Sequence, residues 1–119
     1  MHLKLIKLQG HQVAPAELEA HLLAHTAVAD CAVIQVPDPK AGETPKAFVV
    51  RSVDAGRIPE AELTRELSNW VTDHKAAYKA LRGGIEYVDI IPKSPSGKIL
   101  RRMLRDAEAK KGVRERARL

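Results

Sequence analysis

Residues 28–36 read Val-Ala-Asp-Cys-Ala-Val-Ile-Gln-Val, apolar at seven of nine positions and stopped by Pro37. A short apolar run that ends on a turn residue reads as a buried strand. Together with the elements that follow, it belongs to one sheet covered by helices. Pro37, Asp38, Pro39 and Gly42 form a turn-rich loop, and residues 46–53 follow as a second, β-branched strand carrying Phe48. Gly83 and Gly84 break the chain before a third strand at residues 85–91. Helices fill the gaps. The first opens at Pro15 with Glu17 and Glu19 in its first turn, where acids suit the positive end of the dipole, and Leu18, Leu22 and Leu23 recur at helical spacing to about His25. A second opens at Pro59, Glu60 and Glu62 and carries Leu63, Leu67, Trp70 and Val71 at i, i+4, i+7 and i+8. A third starts near Ile99, with Leu100, Met103, Leu104 and Ala107 at helical spacing. Residues 3–13, broken at Gly10, suggest two short strands or an extended arm. The expectation is an α+β domain: a small mixed sheet of about three strands plus an N-terminal two-stranded arm, covered by about three helices. Residues 1–109 form the folded unit and residues 110–119 a charged flexible tail; no internal repeat is visible.

A chain of 119 residues, 45% hydrophobic and 29% charged, has the composition of one soluble globular domain. No apolar run approaches the roughly 20 residues a membrane span needs, and no signal peptide opens the chain, so a cytoplasmic location is the default. Cys31 is a lone cysteine in the apolar run, which excludes an intrachain disulfide and makes it a small core residue. The net charge of +5 is unevenly placed: residues 98–119 hold nine Lys/Arg against three Asp/Glu, and the remainder is nearly balanced.

The segment Pro92-Lys93-Ser94-Pro95-Ser96-Gly97-Lys98 is the most informative for chemistry. Two prolines stiffen it and Gly97 gives a pivot before Lys98, which stands at the mouth of the third helix. A lysine presented in this way suits a phosphate or carboxylate and can stabilise developing negative charge. On spacing alone, a solvated lysine in a polar loop is the weightier reading. A phosphate-cradling P-loop is excluded, because Pro92 and Ile99 stand where that motif needs Gly and Ser or Thr.

Residues 92–102 resemble the last core motif of the adenylate-forming superfamily: acyl-CoA and aryl-CoA ligases, luciferases and peptide-synthetase adenylation domains. Lys7, Gly10, Gln12, Val13, Pro15, Glu17, Leu18 and Glu19 resemble the stretch that follows the hinge in these enzymes. Residues 33–38, then Gly42, Glu43, Pro45 and 47–49, then Tyr78, Lys79 and Leu81, are similar to the connecting pattern. The resemblance spans about residues 4–106 and is nearest the 4-coumarate–CoA ligase-like branch. It implies the C-terminal lid domain of an AMP-forming ligase. Such an enzyme converts a carboxylic acid and ATP to an acyl-adenylate and pyrophosphate, then passes the acyl group to a thiol such as CoA. It implies that Lys98 is the adenylation lysine, that Lys7 and Gln12 face substrate or nucleotide, and that Gly10 lines the CoA channel. It also implies a large N-terminal adenylation domain that binds ATP, the acid and Mg2+ and acts as the lid's partner, without which the lid is inactive. The start of the chain departs from the pattern or has been cut and replaced: the family's hinge pair falls before Met1, and a hinge lysine common in aryl-CoA ligases aligns with Leu3, beside Lys4.

Other residues carry plainer expectations. His21 and His25 lie four apart on a helix but lack a third metal ligand, so no metal site is expected. Trp70 is expected in the core, and Glu17 and Glu19 are expected to stabilise the helix start. Glu43 reads as structural or as a contact to the large domain. The basic run Lys98, Arg101, Arg102, Arg105, Lys110, Lys111, Arg114, Arg116 and Arg118 supports an alternative, a stand-alone interaction module binding a protein or nucleic acid. No aromatic residue interleaves with that run, which favours a solvated helix face or a surface meeting the large domain and the CoA phosphates.

Overall fold

The computed structural model describes residues 6–8, 11–39, 42–74 and 81–117. A two-stranded antiparallel arm, β1 (Ile6–Leu8) and β2 (His11–Val13), opens the chain, with Lys7 opposite Gln12. Pro15 starts helix α1 (Pro15–Leu23) at the position where its missing N–H costs nothing. Strands β3 (Val28–Asp38) and β4 (Gly42–Arg51) then form an antiparallel hairpin. Helix α2 (Glu60–His74) leads over to β5 (Ile85–Tyr87), which pairs parallel with β4 and completes a mixed sheet of order β3-β4-β5. Helix α3 (Arg101–Ala117) closes the chain. The α+β architecture, arm, three-stranded sheet and three helices are those expected.

The apolar run is covered on both faces. Alternate residues of the paired strands, Cys31, Val33, Ala47 and Val49, join Leu18, Leu22, Leu63, Leu67 and Val71 in one core against α1 and α2. Ala32, Ile34 and Phe48 point the other way, into a smaller core with Ile91 and Leu104. Fully burying each such aliphatic side chain contributes about 1.5–3 kcal/mol, so both faces hold the sheet.

Four boundaries differ from the sequence reading, each for a local reason. The hairpin strands run into the Pro37–Gly42 region, because Pro37 pairs with Glu43 and Pro45 with Gln35 where β4 has no β5 residue on its other side. Strand β5 stops at Tyr87: Val88 donates a last hydrogen bond to the Val49 carbonyl (2.9 Å), and the chain turns out through the exposed Ile90. Helix α3 begins at Arg101, after Ile99 has bridged back to Lys93. It then passes through residue 110, where the sequence suggested a tail, because Ala, Glu, Lys and Arg all favour helix.

The residues at helical spacing do not all face the sheet. Met103 is 56% exposed and Ala107 is exposed, while Leu104 is buried and Glu108 and Lys111 lie partly covered on the same face. The Lys46 ammonium, from β4, bonds Glu86 of β5 (3.1 Å) and Glu108 of α3, and Lys111 bonds the same Glu86 carboxylate. Lys46 also lies 5.2 Å from the Phe48 ring centroid. Charge pairing therefore fixes the middle of α3 where apolar residues are few. Among the described residues no helix is long and apolar enough to cross a membrane.

Candidate functional site

Lys98 sits on a hairpin closed by its own backbone. Lys93 and Ile99 form an antiparallel bridge, Ser94 N–H donates to the Lys98 carbonyl (2.8 Å) and Gly97 N–H to the Ser94 carbonyl (2.9 Å). Leu100 N–H donates to the Pro92 carbonyl (2.9 Å) and Lys98 N–H to Ser94 Oγ (3.2 Å). Gly97 closes the turn at φ +88°, a left-handed backbone that costs other residues about 1–2 kcal/mol. The Lys98 side chain is exposed, and no partner meets its ammonium among the described residues.

Both stems are clamped to the body. On the first, Lys93 Nζ bonds Asp30 Oδ2 of β3 at 2.5 Å, while Ile91 is buried in the smaller core. On the second, Ile99 packs against that core, and Arg101 binds two groups at once. Its Nε donates to the Val33 carbonyl (3.3 Å) and its Nη2 to Glu19 Oε1 (2.5 Å). The other Glu19 oxygen accepts the Val33 N–H at 2.8 Å. Glu19, Val33 and Arg101 thus close a ring of hydrogen bonds on the open edge of β3.

Glu19 is only 6% exposed. Burial pushes its carboxyl above the ordinary carboxylate range, with the Val33 N–H and the Arg101 charge pulling the other way. Cys31 lies beside this ring, its thiol donating to the Glu19 carbonyl oxygen (3.4 Å). Burial, reinforced by the Glu19 and Asp30 charges, pushes the thiol up to about 12, so Cys31 is the inert core residue the sequence suggests. The expectation for Glu19 needs refining. Glu17 lies in the first turn of α1, whereas Glu19 turns inward to the ring. A carboxylate three residues before the buried Leu22, on the apolar stripe, is the signal that points to it. Arg101, Asp30 and Lys93 gave none, since their partners lie 63 or more residues away.

The structure sets Lys7 and Gln12 directly opposite each other across the arm, which packs along β4. Gly10 lies outside the described residues, as do Tyr78 and Lys79. His21 and His25 flank Trp70 rather than pairing on an ion. His21 stacks on the indole (centroids 5.3 Å) and bonds the Trp70 carbonyl through Nε2, and Trp70 Nε1 donates to the His21 carbonyl (2.9 Å). His25 meets the ring edge-on, and its Nδ1 accepts the Ala27 N–H. That bond places the His25 proton on Nε2, towards Glu66 at 3.4 Å. Among the described residues no cluster of three His, Cys, Asp or Glu could hold a metal. Glu43 is exposed in β4. Of the basic run, Arg101 and Lys111 are taken up by Glu19 and Glu86, so it is not one free cationic stripe.

Fold and hairpin together define a small α+β module that presents Lys98, unpaired among the described residues, on a loop anchored at both stems. The chain belongs to the family of AMP-binding enzyme C-terminal domains, which matches it over residues 17–98. It is 51% identical over 119 residues to an acyl-CoA ligase of Purpureocillium lilacinum, a match covering 96% of this chain and 31% of that protein. It is 53% identical over 103 residues to a 4-coumarate–CoA ligase-like protein of Oryza sativa subsp. japonica, covering 87% of this chain and 18% of the relative. The crystal structure of an acyl-CoA synthetase of Brucella canis superposes with a TM-score of 0.83 at 39% identity, over 92% of this chain and 20% of that one. The chain therefore spans less than a third of the length of these relatives.

Proposed function

We propose that this chain acts as the mobile C-terminal lid of an AMP-forming acyl-CoA or aryl-CoA ligase, with Lys98 as the adenylation lysine. The observation that carries this reading is the Lys98 ammonium, unpaired among the described residues, beside the turn of an anchored hairpin within the family's matched span. Adenylation brings a carboxylate against the α-phosphate of ATP, and two anions at contact distance repel. A cation delivered between them lowers that repulsion and favours charge that builds up in the transition state. Lysine suits the task, because its ammonium is a compact point charge on a long stem.

The rest of the machinery belongs to a large N-terminal adenylation domain, which binds ATP, the acid and Mg2+ and works with this lid in cis or in trans. Lys7 and Gln12, held opposite each other on the arm, face substrate or nucleotide, and Gly10 lines the channel for CoA in the second step. The setting is cytoplasmic. Without the large domain the lid forms no adenylate.

The test supplies the large domain of an acyl-CoA or aryl-CoA ligase in trans and follows acyl-adenylate formation by pyrophosphate release. Addition of the chain restores turnover, and Lys98→Ala abolishes the restoration while its circular dichroism stays that of the parent. Failure to restore turnover, in a pair shown to associate, overturns the reading and favours an interaction module of the same fold.

A further inference from the structure

The hydrogen bonds inside the Lys98 hairpin fix its shape but not its direction, since all of them join residues 92–100 to one another. Direction comes from the stems. The Lys93–Asp30 pair on the first stem is partly exposed, at 39% and 29% for the two side chains. Pairs of that kind contribute little. The second stem differs: Arg101 and Glu19 close a ring through both backbone groups of Val33, and the Glu19 side chain is 9% exposed. Arg101 stands three residues after Lys98, at the first position of α3. Its planar fork can reach a carbonyl and a carboxylate together, which fixes the angle at which the helix leaves the hairpin.

We infer that Glu19 and Arg101 are positioning residues for Lys98: their ring through Val33 aims the hairpin so that the ammonium arrives at one place. The inference rests on the lid reading above. Neither residue touches substrate. They act through the stem, and a displacement of about 1 Å in a catalytic group is enough to cost on the order of a hundredfold in rate. The thiol-transfer step draws on the arm rather than on the hairpin, so the ring matters to one half-reaction only.

Arg101→Lys keeps the charge but not the fork, and Glu19→Gln keeps the shape and the Val33 bond but not the ion pair. In the isolated chain, residual dipolar couplings of the Ser94, Gly97 and Leu100 amides, which report their direction relative to the sheet, fall by about half or more in both variants, while those of β4 keep their values. With a large domain in trans, both lose adenylate formation by tenfold or more, yet convert preformed acyl-adenylate to thioester within about twofold of the parent. Unchanged hairpin couplings in Arg101→Lys, or equal loss in both half-reactions, overturns the inference. If Glu19→Gln does not fold, Arg101→Lys decides alone. If Lys98→Ala costs nothing in the same pair, the lid reading fails, and the couplings still decide whether the ring orients the hairpin.

Discussion

A Cβ added at Gly83 would stand 2.7 Å from the Pro45 carbonyl oxygen and 2.8 Å from a Val36 methyl. The same Gly83 donates its N–H to Pro45 O at 2.8 Å, which ties the segment before β5 to β4. Gly83→Ala therefore forces backbone apart and is expected to lower stability by about 1–3 kcal/mol, read as a lower urea midpoint at unchanged slope. Cys31 makes a second residue-level test. Its thiol is buried and held to about 12, so native protein at pH 8 should resist iodoacetamide under conditions that label the urea-unfolded chain fully. Rapid labelling of native protein would mean that the Glu19–Arg101 edge opens readily. The sequence shows both residues by type, and an apolar run suffices to bury Cys31. The contact that makes Gly83 irreplaceable is made with residues about forty positions away, beyond the reach of any local pattern.

Among the elements, α3 is the one whose attachment depends most on charge. Burial pushes the Glu86 carboxyl up, but the Lys111 and Lys46 ammonium groups outweigh it and leave the carboxyl below 4.5. Burial likewise pulls the Lys46 ammonium down, and Glu108 and Glu86 outweigh it and leave the ammonium above 10.5. A depressed carboxyl contributes stability that is present above its unfolded value and lost as pH falls through the folded one. A raised ammonium contributes stability present below its unfolded value and lost as pH rises through the folded one. The attachment of α3 is thus firmest between about 4.5 and 10.5 and weakens on either side. Glu86→Gln should remove the acid limb, seen in amide exchange along α3 between pH 5 and 3; an unchanged limb would assign it to other carboxylates. This network explains why the helical spacing identifies α3 as a helix without giving the face it turns inward. Met103 and Ala107 fit an apolar stripe on paper, but the sheet opposite offers a lysine and a glutamate, so Glu108 and Lys111 turn inward. The third strand was also read too long, because Ile90 is apolar and lies exposed at 77%.

At the scale of the whole molecule, two cores share one sheet. Leu67 is fully buried in the larger core, and Leu67→Ala should cost about 2–5 kcal/mol. Because β3 and β4 line both cores, Trp70 fluorescence on the helical side and far-ultraviolet circular dichroism should report one transition at the same midpoint. Two separated midpoints would mean that the cores melt independently. The architecture was legible because apolar runs, helical stripes and the Pro and Gly between them give the order of strands and helices, whereas the division of the sheet between two cores was not. The loop of Lys98 was legible through Pro, Gly and Ser, but its anchoring was not, since hydrogen-bond partners far apart in sequence leave no periodic trace. Those anchors also fix an order of assembly. Arg101 must find Glu19 across 82 positions, and Lys93 must find Asp30 across 63. Closing such long loops costs entropy before any contact repays it. A chain still emerging from the ribosome, or one whose sheet has not formed, therefore holds Lys98 with no fixed bearing, and the lysine becomes aimed only as the last helix docks.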